Sequence, residues 1–252
     1  MKKIILSLLF VTHIISAAFA QQPIIIVENS TSTTAYNKLD SALYYAIAGD
    51  FIYIPAGTFT CGGGDCIVDK ELHIRGFGHH PFNAQATGRT VIDDDVAFII
   101  GGDNSTMSGV YLTGGVVFGM NFSSATQAVD NITISRCNID GADLAISGSN
   151  NTQAENHRFN ECIIRDYFNA SNVTNLEINN SILGWSPVYA LNATISHCVL
   201  LNDVFSLNYN VGTTYKDNII LGATASANSS TSNCISAISY MKNCVLKIKI
   251  VI

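Results

Sequence analysis

Four groups of residues in this chain of 252 are of types that do chemistry. Cys61-Gly-Gly-Gly-Asp-Cys66 holds two thiols across three glycines, and the glycines give the backbone the freedom to close a small loop. A disulfide, or two free thiols, is expected there over zinc, because two nearby cysteines supply only half a tetrahedral ligand set. His79-His80 has no third ligand beside it and reads as a polar loop. Asp93-Asp94-Asp95 sets three carboxylates in one turn, where they repel each other and face water, so a solvated turn is expected. The fourth group forms only when repeated segments are aligned, and comprises Asp140, Asp143, Arg165, Asp166, Tyr167, Trp185, Asn202 and Asp203. Carboxylate and amide oxygens suit calcium. An arginine forks onto the carboxylate of an acidic sugar. Trp or Tyr covers the apolar face of a sugar ring.

The alignment rests on one pattern: an apolar residue, two polar or small ones, a small one, any residue, then an apolar one. It reads Ile134-Ser-Arg-Cys137-Asn-Ile139 and Phe159-Asn-Glu-Cys162-Ile-Ile164. It recurs as Ile178-Asn-Asn-Ser181-Ile-Leu183, Ile195-Ser-His-Cys198-Val-Leu200, Tyr215-Lys-Asp-Asn218-Ile-Ile220 and Met241-Lys-Asn-Cys244-Val-Leu246. Met107-Ser-Gly-Val110-Tyr-Leu112 is a weaker copy. The starts at 107, 134, 159, 178, 195, 215 and 241 lie 27, 25, 19, 17, 20 and 26 apart. Apolar residues two positions earlier, as at Ile132 and Leu176, give period-2 alternation and so a short strand with one buried face. The small residue marks a bend into a second strand.

Units of this length cannot bury a core alone and must stack, each strand pairing in parallel with its copies above and below. The expected fold is all-β: a single-stranded right-handed parallel β-helix, a solenoid. Cys137, Cys162, Ser181, Cys198, Asn218 and Cys244 should then form one inward column. Rungs are about 4.8 Å apart, so Cys162 and Cys198 are about 9.6 Å apart and cannot bridge, whereas Cys137 and Cys162 are neighbours. Inward packing of small residues accounts for these cysteines without redox chemistry.

A stack has an open end that needs a cover. Residues 39–48 place Leu39, Ala42, Leu43, Ala46 and Ile47 on one helical face, an amphipathic N-terminal capping helix that Gly49 ends. Phe51 to Ile54 is the first strand and Pro55-Ala56-Gly57 its corner.

The stretch LDSALYYAIAGDFIYIPAGTFT, from Leu39 to Thr60, resembles the opening segment of the pectin-lyase-like superfamily of right-handed parallel β-helices. LHIRGFG (Leu72 to Gly78) and TVID (Thr90 to Asp93) resemble that family's next rungs. The resemblance implies the fold, and implies little about function, because that fold carries lyases, hydrolases, adhesins and surface proteins. Its lyases use Asp-held calcium and an Arg base, and its hydrolases use paired Asp residues with Gly-His-Gly and Arg-x-Lys segments. None of these segments is in the chain, nor are the lyases' Trp-Ile-Asp-His and Arg-x-Pro-x-x-Arg. No catalytic residue is therefore assigned, and no metal.

The chain carries 13% charged residues and a net charge of -6. Its five Arg and eight Lys form no basic stripe, so no nucleic-acid partner is expected. Lys2-Lys3, the apolar run Ile4 to Ile15 and Ala18-Phe19-Ala20 form a secretory signal over residues 1–20. The mature chain is expected to begin at Gln21 and to be secreted or at the cell surface, with no transmembrane segment. Residues 21–38 are a lead-in, and 39–252 the β-helix. No cover follows Lys247-Ile-Lys-Ile-Val-Ile252, so the chain reads as truncated at its C-terminus. Asn-x-Ser/Thr triplets at Asn29, Asn104, Asn131, Asn169 and Asn192 follow from composition.

The expected function is a non-catalytic exported β-helix that binds polysaccharide or serves a surface structure, needing no cofactor, with calcium the ion its turn face could take. The alternatives are a lyase or hydrolase acting on a polyuronate at that face, and a surface adhesin. An adhesin would present a large apolar patch on one sheet.

Overall fold

The structure, a computed structural model, describes residues 23–78, 88–118, 128–143, 154–166, 168–170, 173–184, 192–201, 213–221, 230–232 and 235–237. The leader, His79-His80, Cys234 and Cys244 lie outside the described residues.

Alternation decides the local structure. In Ile132-Thr-Ile134-Ser, both isoleucines are wholly buried and the residues between and after them face out, as a strand's period of 2 requires. The described copies pair in register at the inward position: Ile134 with Phe159, Phe159 with Ile178, Ile178 with Ile195, and Ile195 with Tyr215. The result, among the described residues, is an eleven-stranded sheet, here sheet A, running from Thr33–Tyr36 to Ser230–Ser232. The second strands of the copies build sheet B, nine strands from Gly57–Phe59 to Ile235–Ala237. A third set, from Cys66–Val68 to Phe168–Asn169, builds the five-stranded sheet C. Three parallel sheets wound by one chain are a parallel β-helix. Among the described residues, no helix is long and apolar enough to cross a membrane.

The inward column is as expected. Cys137, Cys162, Ser181, Cys198 and Asn218 are all buried. Its polar members are satisfied within the column. Ser181 Oγ accepts the Cys162 N–H at 3.1 Å and donates to the Asn179 carbonyl at 2.7 Å. Asn218 Oδ1 accepts the Cys198 N–H at 2.7 Å, and its Nδ2 donates to the Ile195 carbonyl at 2.8 Å. The three cysteines are free thiols. Burial pushes the Cys162 thiol up to about 12 and the Cys198 thiol up to about 11, so neither forms a reactive thiolate. Where sheets A and C meet, Phe98, Phe118, Phe159 and Phe168 pack in a chain of ring contacts 5.1 to 6.3 Å apart.

The bend between sheets A and B falls one residue before the small position. Arg136, Glu161, Asn180, His197 and Asp217 all take φ between 51° and 57° there. A second column of left-handed residues precedes five consecutive sheet A strands: Asn104, Asn131, Asn156, Asn175 and Asn192, with φ between 54° and 62°. Asparagine tolerates this conformation better than most residues. The side chains also join rung to rung, with Asn131 Nδ2 donating to Asn104 Oδ1 at 3.1 Å and the same link from Asn156 to Asn131 and from Asn175 to Asn156 at 3.2 Å. The asparagines of three of the glycosylation-like triplets are thus corner residues rather than products of composition.

The N-terminal cap departs from expectation in two ways. The capping helix, α1, spans only Leu39–Tyr45. Leu39, Ala42, Leu43 and Ala46 are buried, but Ile47 is 61% exposed. The helix stops before Gly49 because Lys70 Nζ caps the Tyr44 carbonyl at 3.1 Å and Asp50 Oδ2 draws the Ile47 N–H away at 2.9 Å. Residues 21–38 are also more than a lead-in. Ile25–Glu28 and Thr33–Tyr36 form an antiparallel hairpin that extends sheet A beyond its first parallel strand, Asp50–Ile54.

Candidate functional site

Outward positions on sheet B form a column: Thr58, Val91, Tyr111, Asn138, Ile163, Ile182, Val199 and Ile219. Its polar stretch holds the site. Arg89 lies one residue before the strand Thr90–Ile92, and its Cζ sits over the Tyr111 ring, 4.1 Å from the centroid. Arg165 follows the strand Ile163–Ile164, two rungs further on, and leans back across Asp140. Its Nη2 donates to the Leu112 carbonyl at 2.7 Å and lies 3.5 Å from Asp140 Oδ1, while its Cζ is 4.8 Å from the same Tyr111 centroid. One ring thus holds two guanidinium groups. A cation held by a ring's π face keeps its N–H donors for other partners. Among the described residues Arg89 has no ion pair, and Arg165 shares its charge only with the half-exposed Asp140.

The turn that carries Asp93-Asp94-Asp95 lies at the adjoining corner and is not simply solvated. The Thr113 hydroxyl donates to Asp93. The Cys61 N–H donates to Asp94 Oδ2 at 2.6 Å, and the Gly115 N–H to Asp95 Oδ1 at 2.6 Å. Each carboxylate braces a neighbouring turn, and hydrogen bonds of this charged kind contribute about 1.5–3 kcal/mol. Together they make the corner strongly acidic: burial, then Asp95 and Asp94, hold the Asp65 carboxyl above its usual range. Cys61 and Cys66 are joined by a disulfide. Among the described residues, the one group of three potential metal-ligand atoms within 4.8 Å of each other is Cys61, Cys66 and Asp94.

The eight residues of the expected turn face are therefore only partly brought together. Asp140 and Arg165 meet, and the Asp166 N–H bonds the Asp140 carbonyl. Asp143 is in a strand of sheet C, paired with Val117 and Asn169, not in the turn. Tyr167, Trp185, Asn202 and Asp203 lie outside the described residues. Arg89 and Tyr111 belong to the site and were not foreseen. Tyr111 sits in the weakest copy of the repeat, and Arg89 precedes a rung that shows no copy at all. The usable signal was register: Tyr111 precedes Leu112 as Ile163 precedes Ile164.

A second cationic and aromatic cluster lies on the outer face of sheet A at its first parallel rungs. Arg75 Cζ is 4.6 Å from the Phe51 centroid and 5.9 Å from that of Tyr53. The His73 ring lies tilted against Phe51, centroids 4.7 Å apart, with Nδ1 3.1 Å from the Thr106 hydroxyl. From there on the outer face of sheet A, among the described residues, is Thr, Ser and Asn with an exposed Arg158–Glu177 pair at 3.2 Å and the exposed Lys216.

No family model matches the chain, and no curated protein matches it. Among solved structures it is similar to the A-module of the mannuronan C-5 epimerase AlgE4 of Azotobacter vinelandii. The two share 14% identity with a TM-score of 0.40, over 79% of this chain and 68% of the other. At that identity and score no activity is carried across.

Proposed function

We propose that this chain is an exported β-helix protein of the pectin-lyase-like type, secreted or held at the cell surface, that binds an acidic polysaccharide without cleaving it. The observation that carries the reading is the pair of guanidinium groups, Arg89 and Arg165, over the single ring of Tyr111. Two like charges gathered on one surface favour an anion between or beside them, and a guanidinium matches a carboxylate in a two-pronged bond. A polymer with a carboxylate on each sugar presents such groups repeatedly. The aromatic ring is occupied by cations, so recognition falls to charge and hydrogen bonds rather than ring stacking.

The test is co-sedimentation of residues 21–252 with polygalacturonate and with a neutral polymer, at low and high salt, while ultraviolet absorbance is followed for unsaturated product. Binding to the acidic polymer alone is expected, weakened by salt. Each of Arg89→Ala and Arg165→Ala should weaken it about tenfold or more. Undiminished binding by the double variant would sink the reading, and absorbance that rises and is lost in Arg165→Ala would make the protein a lyase.

A second reading has its own observation. Beyond Asn138 the outward column of sheet B is Ile163, Ile182, Val199 and Ile219, with Ile182 37% and Ile219 44% exposed. Four consecutive apolar rungs favour contact with a protein, as in an adhesin.

A further inference from the structure

We propose that the Cys61–Cys66 loop is a redox-gated metal site, which takes a thiophilic tetrahedral divalent cation such as zinc when its disulfide is reduced. The inference is independent of the polysaccharide reading. Three observations carry it. The first is the ligand set: two sulfurs and the Asp94 carboxylate, all within 4.8 Å of one another, with Cys66 buried and the other two half-buried. Thiolate and carboxylate are ordinary zinc donors, and three protein ligands leave a fourth position for water.

The second is that the sheet sets the backbone of Cys66 and of the turn carrying Asp94 side by side before any metal arrives. Cys66 pairs with Val96 in sheet C, and its N–H donates to the Asp95 carbonyl at 2.8 Å, so the strand holding Cys66 and the turn holding Asp94 are adjacent rungs. The Cys61 N–H bonds Asp94 Oδ2 at 2.6 Å, which draws the carboxylate toward the sulfurs and leaves Oδ1 for an ion. The third is that the remaining ligand stands on the compliant part. Gly62 and Gly63 take φ of 78° and 94°, and a side chain added at Gly63 or Gly64 would meet nothing within 4 Å. The two sulfurs must part to about 3.7 Å to share one tetrahedral ion, and this open glycine bridge is the segment able to give.

Disulfide and metal exclude each other, because both use the same sulfur electrons. A dithiol reductant gives two electrons and two protons to the sulfur–sulfur bond and becomes a disulfide itself. The two thiols then lose their protons to solvent as the cation binds. The neighbouring carboxylates of Asp65 and Asp95 add negative charge that favours the cation and disfavours the bare dithiolate.

The experiment compares oxidised protein with protein reduced by a dithiol and desalted under nitrogen, each titrated with cobalt and then zinc. Reduced protein should take one cobalt per chain with a sulfur-to-cobalt charge-transfer band, and zinc should displace it. The oxidised protein, which shares the fold, should show no band. Asp94→Asn, which keeps an oxygen for the Cys61 N–H, should weaken binding roughly tenfold or more. No band in the reduced protein overturns the proposal. A band that survives in the Cys61→Ser/Cys66→Ser variant overturns it too, since other cysteines would then hold the ion. Unchanged affinity in Asp94→Asn overturns the three-ligand site.

Discussion

Sheets A and B are built from the same rungs and bury the same kind of residue, yet their outer faces are opposites. Between residues 133 and 219, the inward positions are Ile134, Phe159, Ile178, Ile195 and Tyr215 on sheet A, and Ile139, Ile164, Leu183 and Leu200 on sheet B. The outward positions on sheet A are Thr133, Arg158, Glu177, Thr194 and Thr214. Those on sheet B are Asn138, Ile163, Ile182, Val199 and Ile219. Stacking needs only the inward residues to be apolar. The outward ones are free to vary, so the apolar column there is not something the stack requires.

The comparison can be broken first from the inside. If both sheets feed one core, Ile178→Ala and Leu183→Ala should each cost about 2–5 kcal/mol and lower the same cooperative urea transition. A loss confined to one variant, or two separate transitions, would mean that the sheets are not equivalent supports.

A charge inside is the next test. His157 is wholly buried, stacked 4.8 Å from Phe118, and its Nδ1 accepts the Ile132 N–H at 3.3 Å. Burial lowers its pKa from 6.5 to about 4. The unfolded chain therefore takes up a proton that the native protein refuses. Stability from this group is full above pH 6.5, falls as pH drops toward 4, and is level below that, with a total loss of roughly 3 kcal/mol. His157→Phe leaves the Ile132 N–H unpaired and should cost about 1–3 kcal/mol at neutral pH. It should also remove this slope, read as urea midpoints against pH. An unchanged slope would mean that another group governs the acid limb.

The outer faces give the smallest effect on stability and the sharpest contrast in binding. Thr194→Asp and Ile182→Asp should each cost about 1 kcal/mol. If the apolar column is a docking surface, only Ile182→Asp should reduce adhesion to a protein-coated surface. Equal loss in both variants would leave the two faces functionally alike.

The sequence carried the stack because a solenoid writes its core as a repeat. Ile134, Phe159, Ile178 and Ile195 are legible as one position, and so are the cysteines behind them. The asparagine corners were equally periodic, each two residues before a strand, but Asn104, Asn131 and Asn192 read as triplets of mere composition because their left-handed backbone is invisible without coordinates. The site was half legible. Asp140 and Arg165 could be assigned to one face by alignment. What alignment cannot supply is reach: Arg165 spans two rungs to the Leu112 carbonyl, 53 residues back. Long side chains ignore the rung to which the alignment assigns them. The N-terminal hairpin was missed for a different reason, since Ile25–Glu28 belongs to no repeat and pairs antiparallel.

The sheet A strands that begin at Thr106, Thr133, Arg158, Glu177, Thr194 and Thr214 keep one register although the chain spends 27, 25, 19, 17 and 20 residues getting from each to the next. Closing 27 residues instead of 17 costs only about 0.4 kcal/mol more in chain entropy. A longer connection between rungs is therefore tolerated at little thermodynamic cost, so long as the inward strand residues are kept. The scaffold is in this sense modular along its length, so a lineage could revise what the surface displays, one excursion at a time, without renegotiating the core.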